Sequence, residues 1–230
     1  MARTRIKYCG LSLLNLQEVR DTKWSKGHLL VSLKDGLTGL PGLLADAFRA
    51  EVQSALDGWA AVCGLTFEMV EEDRRANILI DCGRIDGPGN TLAWSYLPPA
   101  DPVNQLYDTG EKAWTRDAGG KRVAIDVGAV VSHELGHAIG LQHDPRPGAL
   151  MSAFYDPAIR RPTERDIARV QALYGAPAPV PPPTPSDPPV SDEPGTMIIL
   201  GKATGKETYR ASLVRVPTEP SPRARARKKP

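Results

Sequence analysis

The sequence predicts an α+β domain, a twisted mixed sheet of five strands carrying three helices. Two observations point there. Short alternating or β-prone runs bounded by turn residues recur along the chain, and apolar residues at three- and four-residue steps mark three longer segments. His28–Leu33 alternates and ends on the turn formers Lys34, Asp35 and Gly36, which makes it the first strand. Pro41–Cys63 places Leu44, Phe48, Val52, Leu56 and Trp59 on one face and stops at Gly64, the pattern of an amphipathic helix. Leu65–Val70, Asn77–Ile80 and Thr91–Leu97 read as the next strands, and Lys121–Asp126 as the fifth. A second helix is predicted over Val127–Ile139. A third runs from Pro162 or Thr163 to Tyr174-Gly175, with Glu164 and Asp166 suiting its positive N-terminal end.

The 230 residues are 41% hydrophobic and 24% charged, which excludes a wholly disordered chain and a membrane bundle. No run approaches the roughly 20 apolar residues that span a bilayer. Residues 1–20 are basic at the front but lack a long apolar core and a small-residue cleavage site, so no secretory signal is expected. Residues 176–194 hold nine prolines and read as an extended linker, because proline removes backbone donors and fixes φ. Beyond it, residues 195–217 suggest a short β-hairpin, which is marginal in water by itself. Residues 218–230 form a basic tail expected to be disordered. Lys and Arg outnumber Asp and Glu by 29 to 27, and five cations lie in the last ten residues, so the positive balance belongs to that tail. It can contact anionic surfaces, but it is too short and too free of aromatics to specify a nucleic acid. Cys9, Cys63 and Cys82 form neither a disulfide framework nor a thiolate metal motif. The folded body is therefore 21–175, and it is expected to be monomeric.

The chemistry lies in the second helix. His133-Glu134-Leu135-Gly136-His137 is an HExxH motif, continued by Ala138-Ile139-Gly140-Leu141-Gln142-His143. Residues four apart share a helix face, so His133 and His137 can direct two imidazoles at one metal. Gly140 can end the helix and turn the chain back, which lets His143 approach as a third ligand. Three nitrogen ligands leave the fourth tetrahedral position for water, the arrangement of a catalytic zinc. Glu134 stands beside the ligands as a base. Three of the chain's four histidines fall in this window of eleven residues, which argues against a core helix whose histidines are merely hydrogen-bonded.

With these residues in place, the chain resembles the metzincin metallopeptidases, and among them the matrixins, the family of the matrix metalloproteinase catalytic domain. The resemblance extends to Ala149-Leu150-Met151, at the position of the family's Met-turn, and to Asp86 through Ala93, similar to its DGPGGxLA segment. It also takes in Tyr107 through Trp114, Leu65-Thr66-Phe67 and Thr163 through Gly175. It covers residues 21–175 and implies a zincin-like fold with an active-site cleft between upper and lower subdomains. It implies an extracellular or cell-surface setting, although no leader is recognised.

Particular roles follow from the resemblance alone. Met151 would floor the zinc site. Leu92 and Ala93 would lie on the edge strand that pairs with an extended substrate, and Tyr155 would wall the pocket beyond the scissile bond. Asp86, the carbonyls of Gly87, Gly89 and Thr91, and then Asp108 and Glu111 match one structural calcium site. The family's structural zinc is expected to be absent, with Trp94 and Leu106 where histidines would stand, and Asn77 replaces an aspartate of another calcium site. Tyr8-Cys9-Gly10 resembles a degenerate form of the family's inhibitory cysteine segment, which makes Cys9 a candidate inhibitory zinc ligand. The expected activity is hydrolysis of internal peptide bonds in a peptide or protein substrate, by a zinc-bound water that Glu134 activates. The alternative is a zinc-binding module without catalysis, working in binding or assembly through its C-terminal region.

Overall fold

A computed structural model describes residues 7–9, 20–34, 37, 39–71, 73–118 and 124–179, with side chains from residue 20 onward. The predicted hairpin, the basic tail and most of the proline-rich linker lie outside the described residues. In chain order the strands are β1 (Lys7–Cys9), β2 (His28–Leu33), β3 (Gly39–Leu40), β4 (Leu43–Leu44), β5 (Thr66–Met69), β6 (Ile78–Gly83), β7 (Thr91–Ser95), β8 (Val103–Asp108), β9 (Trp114–Thr115) and β10 (Ile125–Asp126). The helices are α1 (Ala45–Ala60), α2 (Val127–Ala138) and α3 (Glu164–Tyr174).

The fold is α+β, with three helices and a mixed sheet of five strands from the domain body. The order is β7-β8-β6-β2-β5, and β1 adds a sixth strand outside β7. β7 and β8 are antiparallel; the other neighbours, including β1 with β7, are parallel. β2, β6 and α1 supply Leu29, Val31, Ile78, Ile80, Phe48, Val52, Leu56 and Trp59 to one core, all of them almost wholly removed from water. α2 packs against α1 and carries Val127, Val130, Val131 and Leu135 into the same core, so the HExxH helix is buried along its whole length.

Three sequence expectations change in detail. The first helix starts at Ala45 rather than Pro41, because Gly39-Leu40 and Leu43-Leu44 pair across a Pro41-Gly42 turn. Leu44 thereby leaves the helix face and is 79% exposed. The fifth strand of the main sheet is Val103–Asp108, not Lys121–Asp126; residues 121–123 of that span lie outside the described residues, and Ile125-Asp126 pairs with Trp114-Thr115 in a separate two-stranded sheet. Val103–Asp108 escaped the pattern because its buried face, Val103, Gln105 and Tyr107, includes a glutamine. α2 and α3 lie where the sequence places them, and Thr163 with Asp166 forms a capping box at the start of α3. Among the described residues no helix is long and apolar enough to cross a membrane.

Candidate active site

α2 begins on Asp126, whose side chain accepts the Ala129 amide. The helix then brings His133, Glu134 and His137 to its buried face, each with no exposure to solvent. His133 Nδ1 lies 2.7 Å from the Leu150 carbonyl, and His137 Nδ1 lies 2.7 Å from the Leu141 carbonyl. A carbonyl can only accept, so both rings carry their proton on Nδ1 and present Nε2 as a bare lone pair.

His143 joins them after the helix has ended. Gly140, at φ +105°, takes a conformation that L side chains rarely adopt, and a Cβ there would stand 2.0 Å from the Thr22 carbonyl oxygen. The Leu141 amide reaches back to the Gly136 carbonyl at 2.9 Å, closing the helix and turning the chain. His143 Nε2 then comes within 3.2 Å of His137 Nε2, which is itself 3.1 Å from His133 Nε2. Among the described residues this is the one group of three or more His, Cys, Asp or Glu side chains whose ligand atoms all lie within 4.8 Å of one another.

Neutral imidazoles are what ligation requires, and the surroundings keep them neutral. Burial pushes the His133 ring down to about 3, and the His143 charge acts in the same direction. Burial holds His137 well below its ordinary value. His143, the most open of the three, is brought to about 4 by burial and by the nearby Arg169 guanidinium. Three acceptor nitrogens facing one another at these distances fit a small cation of borderline softness, and zinc suits nitrogen ligands of this number.

Met151 packs against Gly136, the residue before His137. It is fully buried, and a Cβ on Gly136 would meet its sulfur at 2.3 Å and the Trp59 ring at 3.0 Å, so only glycine fits between the two helical histidines. Asp166 holds the turn that carries Met151, accepting from the amides of Leu150, Met151 and Thr163 and from the Thr163 hydroxyl. The Asp144 amide donates to the Met151 carbonyl, tying the stretch after His143 to the same turn. Gln105 on β8 donates to the Glu134 carbonyl at 2.8 Å and to Ser95 on β7, and it accepts from the Tyr107 hydroxyl. Sequence reading missed Gln105, Gly136 and the role of Asp166. Only alternation within Val103–Asp108 could have hinted at the first.

Leu92 and Ala93 sit buried on β7, which is not the edge strand the sequence reading expected, because β1 pairs outside it with Cys9 opposite Ala93 in register. Tyr155 is buried, and its hydroxyl accepts the Asp126 amide at 2.6 Å, fixing it against the start of α2. Asp86, Asp108 and Glu111 occupy one loop system. Asp108 accepts from Ile85, Asp86, Gly87 and Gly110, Glu111 accepts from Gly89, and Asp86 accepts from Thr91. Burial pushes the Asp108 carboxyl up, but its four amide donors outweigh that and hold it below the usual range. Burial raises Glu111, and the charges of Asp108 and Asp86 add to the rise against the Gly89 amide. Trp94 and Tyr96 lie tilted against each other with ring centroids 5.1 Å apart, and Asn77 Oδ1 accepts the Leu30 amide.

Comparison with known proteins agrees with this geometry. The family model for matrixin, a peptidase family, matches residues 23–175. Stromelysin-1 of Equus caballus is 35% identical over 167 residues, 67% of this chain and 33% of that protein. Stromelysin-3 of Xenopus laevis is 37% identical over 61% of this chain and 30% of its own length. Human matrix metalloproteinase-19 is 31% identical over 96% of this chain and 41% of its own length. The chain thus spans about a third of the length of the curated relatives it matches. A family match over about two thirds of the sequence, taking in the histidine trio, means that the chain belongs to the matrixin family.

Proposed function

We propose that residues 21–175 form a zinc-dependent endopeptidase. The observation that carries this reading is the convergence of three Nε2 atoms, at 3.1 and 3.2 Å, beside a wholly buried Glu134 on the same helix. His133, His137 and His143 would hold the zinc. Bound there, zinc would lower the pKa of a water from 15.7 toward about 7 and polarise a peptide carbonyl. Glu134 accepts the water's proton and delivers it to the leaving amine, so no covalent intermediate with the chain is needed. β7 supplies main-chain donors and acceptors to an extended peptide, and Tyr155 walls the pocket for the side chain after the scissile bond. A module working only in binding or assembly has no physical need for a carboxylate beside the ligands. The test is turnover of a quenched peptide that a zinc chelator abolishes and zinc restores. Absence of turnover with full zinc content would overturn the reading.

The edge of β7 that a substrate would use is the edge on which β1 lies, parallel and in register from Lys7–Thr91 to Cys9–Ala93. We read this segment as a competitor for the substrate, with Cys9 as its candidate zinc ligand. A chain beginning at Arg20 is expected to cleave short peptides with a KM lower by about tenfold or more, because a tethered competitor acts at millimolar effective concentration. Cys9→Ser in the full chain separates the two contributions. It reproduces the gain if the thiolate caps the metal, and leaves KM unchanged if strand pairing alone competes.

The loop of Asp86, Asp108 and Glu111 is read as a calcium site. Two buried carboxylates close enough to perturb each other fit a hard cation better than mutual repulsion. Calcium at a hundredfold excess over Kd is expected to raise unfolding stability by about 2.7 kcal/mol. Asp108→Ala should remove that increment, apart from any stability it loses by orphaning four amides. A chelator-stripped wild type whose unfolding midpoint ignores added calcium would refute this site.

A further inference from the structure

The ends of metal-bearing helices are where ligand geometry is most easily lost, because the last four carbonyls have no partner within the helix. Here the carbonyls at and just beyond the end of α2 are met by residues remote in sequence. The Trp24 indole donates to the Ala138 carbonyl at 2.8 Å, the Tyr174 hydroxyl to Ile139 at 2.7 Å, and the Thr22 amide to Gly140 at 2.9 Å. Gln142, the residue before the third ligand, is held on both sides. Its amide donates to Asp21 Oδ1 at 2.8 Å, and its carbonyl accepts from Arg169 Nη2 at 2.9 Å. Asp21 and Arg169 are themselves joined, Nε to Oδ2 at 3.0 Å and Nη2 to Oδ1.

His143 needs such support more than its partners do. His133 and His137 are placed by helical spacing and by a carbonyl on each Nδ1. His143 lies beyond the helix, and among the described residues its Nδ1 has no hydrogen-bond partner. Its ring can therefore be aimed only through its backbone and its packing. The peptide group joining Gln142 to His143 is the one whose carbonyl Arg169 grips.

We infer that Asp21 and Arg169 are positioning residues for His143, a clamp by which the segment at residues 21–24 closes on the ligand loop and sets the third nitrogen. The inference rests on the zinc reading above. An ordinary salt bridge would only fasten the segment down, whereas this pair shares its donors and acceptors with the two peptide groups flanking Gln142. The guanidinium must serve three oxygens on two segments, which a lysine ammonium at the end of a flexible stem cannot reproduce in the same plane.

The test uses the full chain and measures zinc affinity by competition with a chromophoric chelator, the visible absorption of the cobalt(II)-substituted protein, and the unfolding midpoint of the metal-free form. Loss of an outer partner of a metal ligand weakens affinity by about 10- to 100-fold, and the lower end is expected for Asp21→Ala and Arg169→Met. The double variant should lose no more than either single one, since both remove the same clamp. Arg169→Lys should behave like Arg169→Met. Asp21→Asn keeps an acceptor for the Gln142 amide, folds as the least disturbed variant, and should retain most of the affinity while shifting the cobalt spectrum slightly. Variants with wild-type zinc affinity and cobalt spectrum but a lowered midpoint would overturn the clamp and leave the zinc site standing. A wild-type chain that takes up no zinc would instead overturn the site itself.

Discussion

Glu134→Gln is expected to keep full zinc content and to lower kcat by about 10²- to 10⁴-fold, the contribution of a positioned general base. The substitution preserves shape and leaves in place the main-chain groups that hold the imidazoles. Two of them are set by the carbonyls of Leu150 and Leu141. The main chain of Glu134 stays anchored by Gln105 at 2.8 Å, so the helix should not shift. Metal content and rate are to be measured on the same preparation. Loss of zinc from a folded variant would mean that Glu134 serves as a ligand or a structural anchor rather than as the base.

Asp166→Ala is expected to destabilise the domain by about 2–6 kcal/mol, because two fully buried amides, Leu150 and Met151, lose their acceptor at about 1–3 kcal/mol each. Small domains are stable by only about 5–15 kcal/mol, so this is a large fraction of the total. The effect should reach the metal. The Leu150 carbonyl that fixes His133 and the Met151 side chain against Gly136 both belong to the turn that Asp166 holds. Asp166→Asn should fail to restore stability fully, since its amide nitrogen would face other donors. Denaturant unfolding and zinc affinity, measured together, check both halves. A variant that loses stability but binds zinc as tightly as wild type would show that the turn and the ligands are uncoupled.

Much of the site was legible in the chain itself. Helical spacing alone puts His133 and His137 on one face, and the glycine at 140 marks where the chain must turn toward His143. Helices α2 and α3 follow from apolar periodicity and from the acidic first turn at Glu164 and Asp166. The strand at Val103–Asp108 was not legible. Its inward face carries Gln105, a polar residue whose burial makes sense only once the Glu134 carbonyl and the Ser95 hydroxyl are seen beside it. The start of α1 was misplaced for a related reason. Leu44 matches the helical period, but pairing of Leu43-Leu44 with Gly39-Leu40 competes with helix formation there.

The sequence by itself determined which atoms could bind a metal and which carboxylate could act as a base, because both depend on residue type and on spacing within one helix. Only the tertiary structure decided how those atoms are oriented. The partners that aim them are Leu150 and Met151 on a turn, Asp166 on α3, Gln105 on β8, and Asp21 with Arg169 across a separation of 148 residues. Local pattern carries no trace of such pairs. A hydrogen bond is a constraint on distance and angle in space, and a residue's side-chain chemistry shows that it needs a partner without showing which one the fold will bring.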